Sequence, residues 1–215
     1  MTPSNDTFKL AASYTIGSYI LLGEPIDNLS NLIDKKIKVD ISTCREIVTD
    51  IKEGIYTIGL IESPLFDDAL IYKPWMTNEM VFCSKTEIPE ALDSKLLKKY
   101  QLICREASSL TRVLVGDFFK KFGISHKDFK SIREIDNATA AIQGVKWSKV
   151  NLDAPTLAVV PKLAIEEEIE RQELFISRYE THSMQHSYYI VYAKKDIEDK
   201  NIQKVVTYLL NLQKP

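Results

Sequence analysis

Apolar positions along residues 8–62 switch repeatedly between a period of two and the three-to-four spacing of a helix, the signature of strands alternating with helices. Phe8–Ala12 alternates as a strand. Ser13-Tyr14-Thr15-Ile16-Gly17 opens a helical run through Tyr19, Ile20, Leu21 and Leu22. Pro25 predicts a kink or a break, because proline removes a donor and disfavours helix in the residue before it. The run resumes with Leu29, Leu32 and Ile33, and Ile37–Ser42 is a period-two strand. Thr43-Cys44-Arg45-Glu46 fits a capping box ahead of a helix that buries Ile47, Val48 and Ile51 and stops at Gly54. Tyr56–Ile61 is continuously apolar, as in a strand covered on both faces, and delivers Glu62 to a loop.

After this β-α-β-α-β series come two irregular strands within Leu70–Ser84 and a polar passage over Pro89–Lys99. The pattern then restarts. Leu102–Cys104 reads as a strand and Arg105–Ser109 as a polar loop. The helix that follows places Leu110, Val113, Leu114, Phe118 and Phe122 on one face and ends at Gly123. Ser131–Ile135 is a strand, Asp136-Asn137 caps a helix over Ala138–Val145, and Thr156–Val160 is a buried strand. Pro161 is expected at the first helical position of Lys162–Arg171. Strands at Leu174–Tyr179 and Ser187–Ala193 and a helix over Asn201–Leu212 close the chain, the helix with Ile202, Val205, Val206, Leu209 and Leu210 on its apolar face.

Two successive β-α-β-α-β series predict two α/β lobes built on parallel sheets with right-handed crossovers. Ligands of such sheets bind beyond the carboxyl ends of the strands, at helix N-termini. Those ends carry Ser13 and Thr15, with Tyr14 between them read as pocket wall, then Thr43 and Glu62, then Ser108 and Ser109, and finally Asn137 and Thr139. The set is rich in hydroxyl and amide groups and contains no nucleophile with an adjacent base, so no catalytic residue and no enzyme activity is expected. Ser108 and Ser109 either only cap their helix or also help seat a small anion at its N-terminus. Glu62 either gates ligand charge or closes a salt bridge, and Arg105 is expected to pair with Glu106.

Composition changes this picture little. The 215 residues are 45% hydrophobic and 27% charged, with a net charge of −2, which argues against this chain gripping nucleic acid by itself. No run of 18 apolar residues occurs and the start, MTPSNDTF, lacks the basic and apolar parts of a signal peptide, so a cytoplasmic protein with no membrane contact is expected. Cys44, Cys83 and Cys104 are widely spaced and read as small core residues. Neither they nor His126, His182 and His186 show metal-ligand spacing, so no metal and no cofactor is expected.

In order and spacing, TIGSYIL, CREIVTDIKEGIYTIGLIESP, ICREASSLTR, IDNATAAIQGV, LAVVPKLAIEEEI and SYYIVYAKKD resemble the effector-binding domain of LysR-type transcriptional regulators over nearly the whole chain. The resemblance implies an α/β fold of two Rossmann-like lobes joined by hinge strands, of the type 2 periplasmic-binding-protein kind. It implies a linker over 1–7, lobe I over 8–84 plus 188–215, and lobe II over 85–187. It further implies a small-molecule effector, anionic or polar, held in the interlobe cleft, and assembly into a homodimer or homotetramer. The excess of Ile20, Leu21 and Leu22 over one helix stripe is in keeping with such assembly. The family's winged helix-turn-helix is absent from these residues, so DNA contact is expected only through an N-terminal domain outside them. A solute receptor of the same fold is the alternative function.

Position by position, Ser13 and Thr15 match the hydroxyl-bearing start of the family's first helix. Ser109, Thr111 and Arg112 match the S-x-T-R of its REPGSGTR loop, with both glycines replaced, by Ser108 and Leu110. Asn137 matches the helix start written SNEA, with Thr139 in place of Glu. Lys146–Pro155 replaces a short glycine turn and lies at the pocket rim or opposite it.

Overall fold

The computed structural model describes residues 7–212. The expected linker therefore lies outside the described residues except for Thr7, which opens the first strand. The chain divides into two compact units, one running up to Thr77 and resuming at Ser187, the other spanning Asn78–His186.

In chain order, the first unit begins with β1 (Thr7–Ala12), α1 (Tyr14–Ile16) and a π-helical turn over Gly17–Leu21. It continues with α2 (Glu24–Ile33), β2 (Lys36–Ile41), α3 (Cys44–Glu53) and β3 (Ile58–Ile61). β4 (Leu70–Ser84) carries the chain into the second unit, which holds β5 (Ala91–Leu92), α4 (Ser94–Leu97), β6 (Gln101–Arg105) and α5 (Leu110–Lys121). Then come β7 (Ser131–Ile135), α6 (Ala138–Lys146), β8 (Thr156–Pro161), α7 (Glu166–Glu170) and β9 (Phe175–Tyr179). β10 (Met184–Ala193) returns to the first unit, which α8 (Lys200–Asn211) completes.

In the first unit, β2, β1 and β3 are parallel neighbours, and β10 pairs antiparallel with β3. The register sets Ala12 opposite both Ile41 and Leu60, so three strands end level. Helix α3 forms because its capping box is complete. Thr43 Oγ1 accepts from the Glu46 N–H at 3.3 Å, and the Glu46 carboxylate accepts from the Thr43 N–H at 3.1 Å. Its far end is Gly54 at φ 75°, where a side chain would be strained. Between these stops Ile47, Val48 and Ile51 are buried. Gly59 in β3 has no room for a Cβ, which would meet Ile47 Cγ2 at 2.5 Å.

In the second unit, β7, β6 and β8 are parallel neighbours, and β4 pairs antiparallel with β8 and β9. Its core is aromatic. Phe82 stacks on Phe119 at 6.0 Å, and Phe129, Phe118 and Tyr179 complete the cluster.

Of the kink or break expected at Pro25 the break occurs, at Leu22 and Gly23, and the proline falls in the first turn of α2. Several other local expectations are corrected. The π turn winds Ile20 and Leu21 inward, leaving only Leu22 of that run exposed; the three residues do not overflow one face. β4 is one continuous strand through Pro74, which stands at an exposed position. On α5 the fully buried positions are Val115, Phe118 and Phe119, whereas Val113 is half exposed, because Val115 and Phe119 are the i, i+4 pair that faces the sheet. Pro161 ends β8, and a 3-10 turn over Lys162–Ala164 separates it from the short α7. Leu210 on α8 is exposed. The Lys146–Pro155 segment enters β8 at Thr156, opposite Gln101 at the start of β6, so within its unit it lies away from the carboxyl ends of the strands. No helix among the described residues is long and apolar enough to cross a membrane.

Two glycine substitutions separate close packing from backbone entropy. Gly59→Ala should destabilise the chain by about 1–3 kcal/mol through overpacking against Ile47. Gly116→Ala, inside α5, should stabilise it by up to about 1 kcal/mol, since the new Cβ would meet only His126 Cε1 at 3.7 Å. Urea midpoints of the two variants moving in opposite directions is the expected result.

Candidate functional site

The carboxyl ends of the first unit's parallel strands are tied together by backbone. The Ser13 N–H donates to the Leu60 carbonyl at 2.9 Å and the Ser42 N–H to the Ala12 carbonyl at 3.1 Å. Ser13, the Ser42-Thr43 pair and Glu62 therefore share one rim. Ser42 and Thr43 are spent on the capping box, both hydroxyls bonding to the Glu46 carboxylate, which they hold below the usual carboxylate range. Ser13 occupies the N-cap position of α1, but its side chain makes no capping bond. It is only 3% exposed and its Oγ has no hydrogen-bond partner. Thr15 is also buried, while Tyr14 is partly exposed.

Glu62 answers the question left open by its position. Its Oε1 accepts from the Thr15 N–H at 3.2 Å, so this carboxylate fills the anion seat at the start of α1. No salt bridge to Glu62 exists among the described residues. Cys44 lies close by and its thiol is pushed up to about 11, first by burial and then by the negative charge of Glu62.

In the second unit the Glu106 N–H donates to the Ile135 carbonyl at 3.1 Å, which brings the loop after β6 beside the start of α6. Ser109 is the N-cap residue of α5, is buried, and makes no capping bond through its side chain. Thr111 is half-buried, whereas Ser108 and Thr139 are exposed. Asn137 is occupied: its Oδ1 caps α6 by accepting from the Ala140 N–H at 2.7 Å, and its Nδ2 donates to Asp136 Oδ1 at 2.9 Å. Arg105 pairs with Glu106 through two bonds of 3.0 and 3.1 Å. Arg112 turns back beneath its own helix, where Nη1 donates to the Arg105 carbonyl at 2.7 Å and contacts Cys104 Sγ. It braces the loop.

Beneath α5 lies a small pocket with room for about one water. Cys104, Thr111, Arg112, Val115, His126 and Val159 are among its lining residues. Burial raises the Cys104 thiol, partly opposed by the Arg112 charge. Burial, aided by Arg112, lowers His126 to about 4, and its Nε2 has no partner. Sequence reasoning missed this neighbourhood. The signal was present: Ser125-His126-Lys127-Asp128 forms a complete capping box that fixes the turn carrying His126. Among the described residues no group of three or more His, Cys, Asp or Glu gathers as metal ligands.

Residues 2–214 match the family model of the LysR substrate binding domain. The HTH-type transcriptional regulator CysL of Bacillus subtilis (strain 168) is 24% identical over 206 residues, 94% of this chain and 66% of CysL. The chain spans from 48% to 67% of the length of the curated relatives it matches. Among solved structures, the cofactor-binding domain of the Cbl transcriptional regulator superposes with a TM-score of 0.76 at 16% identity, covering 99% of this chain and 92% of that one. The Synechocystis PCC6803 CcmR regulatory domain, in complex with 2-PG, gives 0.75 at 19% identity, covering 95% and 96%. These likenesses show the fold, that of type 2 periplasmic binding proteins.

His126 gives the chain an acid-sensitive element. Its proton is bound more weakly in the folded state, at about 4, than in the unfolded state, near the ordinary histidine value of 6.5. Between those values the unfolded chain binds more protons, so stability present above 6.5 is lost as pH falls toward 4. Denaturant midpoints measured from pH 7 down to pH 5 should fall, and His126→Gln should flatten that slope.

Proposed function

Since the chain belongs to the LysR substrate-binding domain family, we propose that it is the sensor of a transcriptional regulator, taking a small polar effector at the carboxyl ends of its parallel strands. The observation that carries this reading is a contrast among the N-caps. Thr43, which is exposed, and Asn137, which is half-buried, cap their helices through the side chain, whereas the buried Ser13 and Ser109 do not. A buried hydroxyl with no role in its own helix is free for a ligand. On the first unit the proposed contacts are Ser13 and Thr15; on the second, taken by itself, they are Ser109 and Thr111. Glu62 belongs with them. Tyr14, Ser108 and Thr139, which are exposed, would line the approach, and Asn137 would hold the start of α6 in place.

The first turn of α5 offers N–H groups beyond Ser109, which makes the second unit's rim a seat for oxygen acceptors. That CcmR's regulatory domain was solved with 2-PG supports a small-molecule effector here. Binding would shift the population of the sensor's conformations and so bias an attached DNA-binding part. Self-association into a homodimer or homotetramer, and DNA contact through a segment outside these residues, belong to the same proposal.

A thermal-shift screen of the chain against small carboxylates, inorganic anions, amino acids and amines tests it. At 100 times its Kd a true effector stabilises the fold by about 2.7 kcal/mol. Ser109→Ala should weaken the shift of a hit tenfold or more in concentration while leaving the unliganded melting temperature nearly unchanged. A hit indifferent to Ser13→Ala, Ser109→Ala and Thr111→Ala alike would place binding elsewhere and overturn the assignment.

A further inference from the structure

We propose that Glu62 is an effector-reading group and that the effector carries a small ammonium, either a free primary amine or the α-amino group of an amino acid. This rests on the sensor reading above. Three observations within the first unit lead to it. Glu62 is only 7% exposed, and carboxylates are seldom buried without a partner. Its Oε1 accepts from the Thr15 N–H, and among the described residues no other donor and no lysine, arginine or histidine pairs with it. Among the described residues its second oxygen is therefore without a protein donor. Beside it stands Ser13, whose hydroxyl is buried and unpartnered. Two backbone bonds hold the pair in place, Ser13 N–H to Leu60 O at 2.9 Å and Thr15 N–H to Glu62 Oε1 at 3.2 Å.

The chemistry of that pair selects the ligand. A carboxylate accepts and never donates while ionised, and a hydroxyl supplies one acceptor and one donor. An anion brought to this rim would face the Glu62 charge at close range, and one of the helix-end N–H groups that would have greeted it, that of Thr15, is already taken. A neutral polyol satisfies the hydrogen bonds but leaves the charge uncompensated. An ammonium does both: it donates to the free carboxylate oxygen and to the serine Oγ, and it neutralises a buried charge. The anion seat expected at this strand end is thus converted by Glu62 into a cation seat.

The test compares matched probes on the purified chain by differential scanning fluorimetry and calorimetry. The probes are L-alanine against L-lactate, L-serine against glycerate, ethanolamine and putrescine as free amines, and sulfate as an inorganic anion. The expected result is that an amino-bearing probe raises the melting temperature and its deaminated partner does not. Glu62→Gln, which keeps an acceptor for the Thr15 N–H, should weaken that probe at least tenfold. Its unliganded melting temperature should stay close to that of the parent, since the Thr15 N–H keeps an acceptor. Ser13→Ala is the second variant and should weaken the same probe. A response to the amines but not to the amino acids assigns the free-amine source, and the reverse assigns the amino-acid source. Binding of lactate, glycerate or sulfate alone, unchanged or tightened in Glu62→Gln, overturns the ammonium proposal while the sensor reading stands. An ammonium probe that binds Glu62→Gln as well as the parent overturns the role of Glu62. No shift with any probe overturns the ammonium assignment and counts against the sensor reading as well.

Discussion

The level ending of three parallel strands is the constraint on which the rest of the first unit depends. Ala12 stands opposite both Ile41 and Leu60, and the backbone bonds from Ser13 to Leu60 and from Ser42 to Ala12 close the ends. A shift of one residue would turn every side chain to the opposite face. It would also move Glu62 away from the first turn of α1. The buried faces of Leu10, Ile58 and Leu60 hold the register, and Gly59 lets Ile47 of α3 come down onto β3. Packing far from the rim thus sets where a carboxylate and a hydroxyl meet.

The second unit reaches an analogous arrangement by different means. There the Glu106–Ile135 backbone bond joins the ends of β6 and β7, and Arg112 braces the loop from below through the Arg105 carbonyl. A guanidinium has donors to spare for a carbonyl and a sulfur at once. The Arg of the S-x-T-R motif is therefore spent on structure, and the proposed effector contacts of the motif are left to Ser109 and Thr111. The space Arg112 crosses is imperfectly filled, which explains why His126 is left with an unpartnered nitrogen and a depressed proton affinity.

Much of this was legible in the chain. The alternation of strands and helices, the Thr43–Glu46 capping box, the Gly54 and Gly123 stops and the Arg105–Glu106 pair rest on local patterns, and local patterns survive folding. What was misread depended on tertiary choices. The apolar residues of α5 populate more than one stripe, and only the sheet beneath decides that Val115 and Phe119 go in and Val113 goes out. Ile20 and Leu21 share a face because of a π turn, a winding that no spacing rule anticipates. Ser13, Ser109 and Asn137 are all N-cap residue types, yet only Asn137 caps with its side chain.

That last distinction carries the functional reading, because N-cap residues at equivalent positions can be spent or spared. Asn137 is spent, with both its acceptor and its amide bonded to neighbours. Ser13 is spared, and it is spared beside a carboxylate that has taken one of its helix's first-turn N–H groups. Burying a polar group without a partner costs free energy, so a fold that leaves the Ser13 hydroxyl in this condition, beside a carboxylate with an oxygen to spare, is completed when something supplies a partner. A helix N-terminus alone points to an anion. The same N-terminus with its own carboxylate installed points the other way, and the sign of the ligand's charge at this rim follows from that single side chain.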